Sequence, residues 1–329
     1  MLALVACGGA PAPSDLPGRC DALVVRATSS LAVTDPVPVV AIARGANDLA
    51  LGYVAVPTWP RLAHLTLQRV ALDGTIDGDP VVLGPVDQQV PGPVTIARTT
   101  TGDLVCTIAV GGASCSHVDA SGAMDADMIV DAVALAITDG PGGVIGAWTD
   151  GDALQVGPLD APTGTIAHTA STPSLAPTDD GYVVGWQASG SAWIAMLDAT
   201  GHATAPIALG SALTTTRVAV AFTAGHVGAV FIGPNGDATL VVSPGGTSVI
   251  GPGAASHGQV AIAPSRDGFF ATWSNASTIE GTFADFTATP SGTHFVRPSD
   301  TSDVVHALAA TSDAFALAAG TTVTIVGCP

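Results

Sequence analysis

The sequence predicts an all-β fold, a single β-propeller of seven four-stranded blades with the last blade completed by a strand from the N-terminus. Three observations carry that expectation. Residues 40–53, 94–108, 133–148, 173–186, 218–231, 260–273 and 306–319 repeat one pattern: a small apolar run, a polar turn with Asp or Gly, and a second apolar run that often ends in an aromatic. Their first residues lie 54, 39, 40, 45, 42 and 46 positions apart, and periods of about 40–50 residues belong to propeller blades. Mean hydropathy is +0.49, yet no apolar run reaches the length of about eighteen residues that marks a spanning helix, which points to many short buried strands. A six-bladed ring with the first unit as an appendage is the competing arrangement.

Composition narrows the classes further. All nine basic residues are arginines, and Glu280 is the sole glutamate, so the charged helix formers are nearly missing. A net charge of -18 argues against a nucleic-acid partner, because phosphates need clustered Lys and Arg. With 47% apolar residues the chain is not a disordered one. An outer-membrane barrel needs longer strands and aromatic girdles, whereas aromatics are only 5% here.

The elements follow in chain order. Leu4-Val5-Ala6-Cys7 resembles the lipobox of bacterial lipoproteins, in which the cysteine becomes lipidated. Only six residues precede Cys7 and none is basic, so residues 1–6 read as a truncated signal remnant. Residues 7–19, rich in Pro and Gly, read as a short tether, and residues 20–329 as the propeller.

Within each unit the first strand is built from small residues because the innermost strands crowd around the axis. Trp148, Trp186, Phe231 and Trp273 end second strands, where blades splay apart and volume is needed, so they read as core wedges. Asp73-Gly74, Asp119 with Gly122, and Asp198 with Gly201 mark turns between third and fourth strands. There Asp bonds the backbone ahead of it and Gly accepts a positive φ. From Cys20 onward the chain resembles the multi-bladed β-propeller lipoproteins of bacterial cell envelopes. Residues 265–273 are also similar to the Asp-box turn of sialidases, with the glycine one place early, but only once, and the Trp-Asp pairs of WD40 blades are absent.

If Cys7 carries lipid, four cysteines remain, and an exported chain should pair them. Cys106 and Cys115 face one another across the turn at Val110 and Gly111. The seventh unit supplies only three strands, the last over residues 322–327, and residues 22–26 offer the fourth. An antiparallel pairing of those two places Cys20 beside Cys328.

Catalytic signals are few. Paired carboxylates could come only from Asp, with Glu280 as the alternative, and no Gly-x-Ser-x-Gly elbow or His-x-x-x-His pair occurs. Asp73, Asp77 and Asp79 share a turn, as do Asp119, Asp125 and Asp127, which makes calcium conceivable. Turn chemistry explains those aspartates as well, and no cofactor is expected.

In a propeller the turns between second and third strands share one face with the blade-to-blade connections. That face should present the longest such loop, with Trp59, Arg61 and His64, together with Asp87, Gln88, Asp150, Asp152, Gln187, Asn235, Asp237 and Asn275. The expectation is a non-enzymatic, monomeric lipoprotein, exported to the outer membrane or cell surface and touching membrane only through its anchor. Its propeller face would bind a protein or carbohydrate partner. The alternative is a degenerate sialidase- or glycosidase-like enzyme using Asp carboxylates at the channel mouth.

Overall fold

Short apolar runs joined by tight turns fold here as antiparallel meanders. The computed structural model describes residues 13–31, 40–55, 63–86, 93–109, 111–119, 121–122, 124, 128–151, 153–168, 170–214, 216–252, 259–275, 277–299 and 306–329. The first strand, β1 (Val24–Ser30), is followed by the first blade, β2 (Val40–Arg44), β3 (Asp48–Ala55), β4 (Ala63–Ala71) and β5 (Ile76–Val86). The second blade is β6 (Val94–Arg98), β7 (Gly102–Ala109), β8 (Gly112–Asp119) and β9 (Met128–Val130). The third is β10 (Ala134–Gly140), β11 (Gly143–Asp150), β12 (Ala153–Gly157) and β13 (Gly164–His168). The fourth is β14 (Ser174–Pro177), β15 (Gly181–Ala188), β16 (Ser191–Asp198) and β17 (Ile207–Ser211). The fifth is β18 (Ala219–Thr223), β19 (His226–Ile232), β20 (Asp237–Ser243) and β21 (Thr247–Pro252). The sixth is β22 (Val260–Ser265), β23 (Gly268–Asn275), β24 (Thr278–Asp285) and β25 (Pro290–Pro298). The seventh begins with β26 (His306–Ala310), β27 (Ala314–Ala319) and β28 (Thr322–Gly327).

Six sheets keep sequence order, and the seventh runs β1-β28-β27-β26, so the two ends of the chain share one blade. Val24 lies opposite Gly327 and Ser30 opposite Thr322. The closing strand therefore starts two residues later than the 22–26 segment suggested by the sequence, and it runs longer. The first strands of successive blades are neighbours all the way round, and β26 returns to β2. The ring is a seven-bladed propeller, not a six-bladed ring with an appendage. Its only helical turn among the described residues is the 3-10 turn Pro13–Asp15, and no helix there is long and apolar enough to cross a membrane.

The cores lie between blades, not within them. One cluster joins Val230 and Leu240 of the fifth blade to Phe269 and Trp273 of the sixth, and another joins Phe270 and Phe283 of the sixth to Phe315 of the seventh. Tyr53, Trp148, Trp186, Phe231 and Trp273, all at second-strand ends, are buried as wedges. Each such side chain contributes about 1.5–3 kcal/mol by leaving water. Gly251 shows why a bare backbone is needed beside one of them. A Cβ there would stand 2.3 Å from the Trp273 indole, whose Nε1 donates to the Pro252 carbonyl at 3.0 Å.

Both expected disulfides are present. Cys20–Cys328 spans 308 positions with a Cα–Cα distance of 5.4 Å and fastens the composite blade. Cys106 and Cys115 are register partners on β7 and β8. The aspartate turns also form as read from the sequence: the Oδ1 atoms of Asp73, Asp119 and Asp198 each accept the backbone N–H two residues ahead, at 2.8 Å, and Asp285, not singled out in the sequence, does the same.

Of the stretch read as a tether, residues 13–19 are described, and they are packed against the ring. Leu16 is wholly buried among Cys20, Phe270 and Phe315. Arg44 Nη1 donates to the Asp15 carbonyl at 2.9 Å, the Arg266 backbone N–H to the Pro17 carbonyl at 2.9 Å, and Asp267 accepts from the Arg19 N–H at 3.1 Å. The apolar Leu16 in an otherwise polar stretch is the reason the arm docks.

Candidate functional site

Because the same meander repeats around one axis, all seven first strands run the same way along the central channel. The channel therefore has an entry end, where first strands begin, and an exit end, where they stop. The cavity between them is about 910 Å³ and is lined largely by Val, Ile and Ala of the first strands. This is the volume range of small-molecule sites.

The exit end carries charges of both signs. Arg44, Arg98, Asp139 and Asp15 of the N-terminal arm all line it. Arg98 belongs to a ring of alternating charges between the first two blades. Its Nη2 lies 2.8 Å from Asp48 Oδ1 and its Nε 2.7 Å from Asp103 Oδ1, while Arg69 reaches the same two carboxylates at 3.0 and 2.6 Å. Burial alone would raise the Asp48 carboxyl, but hydrogen bonds and charge from Arg98 and Arg69 outweigh it and hold it below its ordinary value. Asp139 has no such cation, and burial pushes its carboxyl up.

The entry end is different. Arg217, two residues before β18, lines the channel there with Ser174, Val260 and His306. Ser174 Oγ donates to the Val218 carbonyl, and buried His306 places Nε2 3.0 Å from Thr272 Oγ1. The Arg217 Nε is buried without a partner, and burial lowers the pKa of the guanidinium.

The described members of the expected binding face, His64, Asp150, Gln187, Asn235, Asp237 and Asn275, fall on that same end of the ring but do not line the channel. Trp59, Arg61, Asp87, Gln88 and Asp152 lie outside the described residues, as do Cys7, Asp125 and Asp127. His64 opens β4, two strands out from the axis, half-buried and paired in register with Ala55 and Pro85. Asp150 closes β11 and takes a 3.3 Å contact from Gln155 Nε2. Asn235 is exposed in the turn between β19 and β20, and half-buried Asp237 opens β20. Asn275 closes β23 and donates to Glu280 Oε1 at 2.8 Å, and Glu280 Oε2 lies 3.1 Å from His294 Nε2. Gln187 is buried within β15. The described members are spread over the first, third, fourth, fifth and sixth blades, and no hydrogen bond joins any two of them.

Asp73, Asp77 and Asp79 do not converge. The Asp73 carboxylate is engaged by Thr75, whose hydrogen bonds lower its pKa, and Asp77 and Asp79 are exposed along β5. Among the described residues no three His, Cys, Asp or Glu side chains are grouped to hold a metal ion.

Sequence reasoning missed Arg217, Asp139 and the Glu280–His294 pair. An arginine just ahead of the Val-Ala-Val-Ala run of the fifth unit was the available signal, since the other units carry no arginine immediately before their first strands.

No protein-family model matches the chain, and comparison with curated proteins gives no match. Solved structures do match over nearly the whole length. The chain is similar to the Dos1 propeller, with a TM-score of 0.55 and 10% identity over 93% of this chain and 95% of that one. It is similar to the same degree to a protein of unknown function from Dyadobacter fermentans, covering 99% of that chain. At such identity the likeness concerns the fold, and the class so defined is the β-propeller.

Proposed function

We propose that this protein is an exported, monomeric binding protein of a bacterial cell envelope, anchored by lipid on Cys7, and without a reaction of its own. Its ring presents the turns at the entry end to a protein or glycan partner. The observation that supports the binding role is that Asp150, Asn235, Asp237 and Asn275 occupy strand ends and a turn at one end of a closed ring. Propellers recognise partners through such loops because the strands beneath hold them still while tolerating any sequence in them. The two disulfides suit an oxidising, exported setting, and the Leu4-Val5-Ala6-Cys7 motif suits lipidation.

The test has two arms. Palmitate labelling in a bacterial host should mark the wild-type chain and fail for Cys7→Ser. A glycan array and an envelope pull-down should return a ligand that is lost in the Asn235→Ala, Asn275→Ala double variant. Label in the Cys7→Ser chain overturns the anchor, and capture unaffected by the double variant overturns the binding face.

A further inference from the structure

We propose that the entry end of the channel binds an oxyanion, a carboxylate or phosphate group borne by a small ligand, with Arg217 as its anchor. This rests on the binding role proposed above and names the chemistry of the ligand.

Six other arginines show what an engaged guanidinium looks like here. Arg26 pairs with Asp313 at 2.6 Å, and Arg69 and Arg98 share Asp48 and Asp103. Arg44 and Arg266 hold carbonyls of the N-terminal arm, and Arg297 donates to Thr322 Oγ1. Arg217 lines the channel with its Nε buried and unpartnered, and among the described residues no carboxylate pairs with it. A guanidinium does not escape burial by losing its proton, and no described residue supplies the acceptor that Nε lacks, which leaves the place open to a ligand.

The charge distribution points the same way. The chain carries -18, yet among the described residues the carboxylates lining the channel are Asp15 and Asp139, both at the exit end. The entry end is thus a local cation in an acidic molecule, walled by Val260, Ala261 and other small or apolar residues that leave room beside it. The planar fork of a guanidinium matches the paired oxygens of a carboxylate or phosphate, and low-dielectric walls strengthen that contact. The cavity of about 910 Å³ accommodates the ligand behind the anion.

Thermal unfolding of the full chain in chloride, inorganic phosphate and acetate at matched ionic strength tests the assignment. At about 50 mM, phosphate or acetate should raise the wild-type midpoint by about 2 °C or more, as ligands of the native state do. Arg217→Gln should abolish the rise, Arg217→Lys should retain part of it, and Arg26→Gln should respond as wild type. Arg217→Gln should also unfold no earlier than wild type in chloride, since the charge it removes has no carboxylate partner among the described residues. No rise with either ion, or an equal rise in wild type and Arg217→Gln, overturns the proposal. Partner capture that depends on Asn235 and Asn275 would then still stand, so failure of the anion site and failure of the binding face are separately visible.

Discussion

Arg69 on the third strand of the first blade reaches Asp103 on the second strand of the next, its Nη2 2.6 Å from Oδ2. Asp103 is wholly buried, whereas the Asp48 side chain in the same charge ring keeps 25% exposure. Removing the buried member leaves two guanidinium groups at a blade interface with Asp48 as their one shared carboxylate. Asp103→Ala should therefore cost about 3–5 kcal/mol in denaturant unfolding, and Asp48→Ala clearly less. Equal losses would mean that the ring acts as exposed charge and not as an interblade bolt.

The two disulfides should differ in weight because they close different loops. In the chain-entropy account a separation of 308 is worth about 5–6 kcal/mol and one of 9 about 2–3 kcal/mol. Cys20→Ser should lower the non-reducing thermal midpoint more than Cys106→Ser. The reverse order would show that the composite blade holds without its clasp.

Leu16 ties the N-terminal arm into the core between the sixth and seventh blades. Leu16→Ala should cost about 2–5 kcal/mol and expose residues 13–19 to proteolysis. A midpoint that stays put while cleavage appears would separate the arm from the cooperative unit.

Asp139 carries a carboxyl raised by burial near Tyr182, whose hydroxyl donates to the Gly143 carbonyl at 2.5 Å. A folded-state pKa above the unfolded one means that the native state binds more protons between the two, so stability falls as pH rises through them. Asp139→Asn should raise the midpoint at pH values above the carboxylate range, with the gain vanishing in acid. A gain equal in acid and at neutrality would trace to packing and not to charge.

The ring was legible in the sequence because the repeat is local: each meander is written within one unit, and the wedges at Trp148, Trp186 and Trp273 sit at one position of it. The cysteine pairs followed from strand order. Contacts between blades were not legible. Arg44 and Arg98 both end an Ile-Ala-Arg run, yet Arg98 meets Asp48 and Asp103 while Arg44 holds the Asp15 carbonyl. Their fates depend on what the adjoining blade and the arm offer, which no single repeat encodes. That Arg217 meets no carboxylate among the described residues is a fact of the same kind, visible only once the ring closes. The reading of residues 7–19 as tether failed at Leu16 for want of any periodicity in so short a stretch.

The docked arm gives the ring a front and a back. Asp15 and the Arg44 that holds its carbonyl lie at the exit end, so the arm is fastened at the back. Were Cys7 fastened in a bilayer, the six residues to Pro13 would reach about 20 Å when fully extended. On so short a leash the molecule would lie with its back to the lipid, and the mouth holding Arg217 would look outward, like a cup standing on its base.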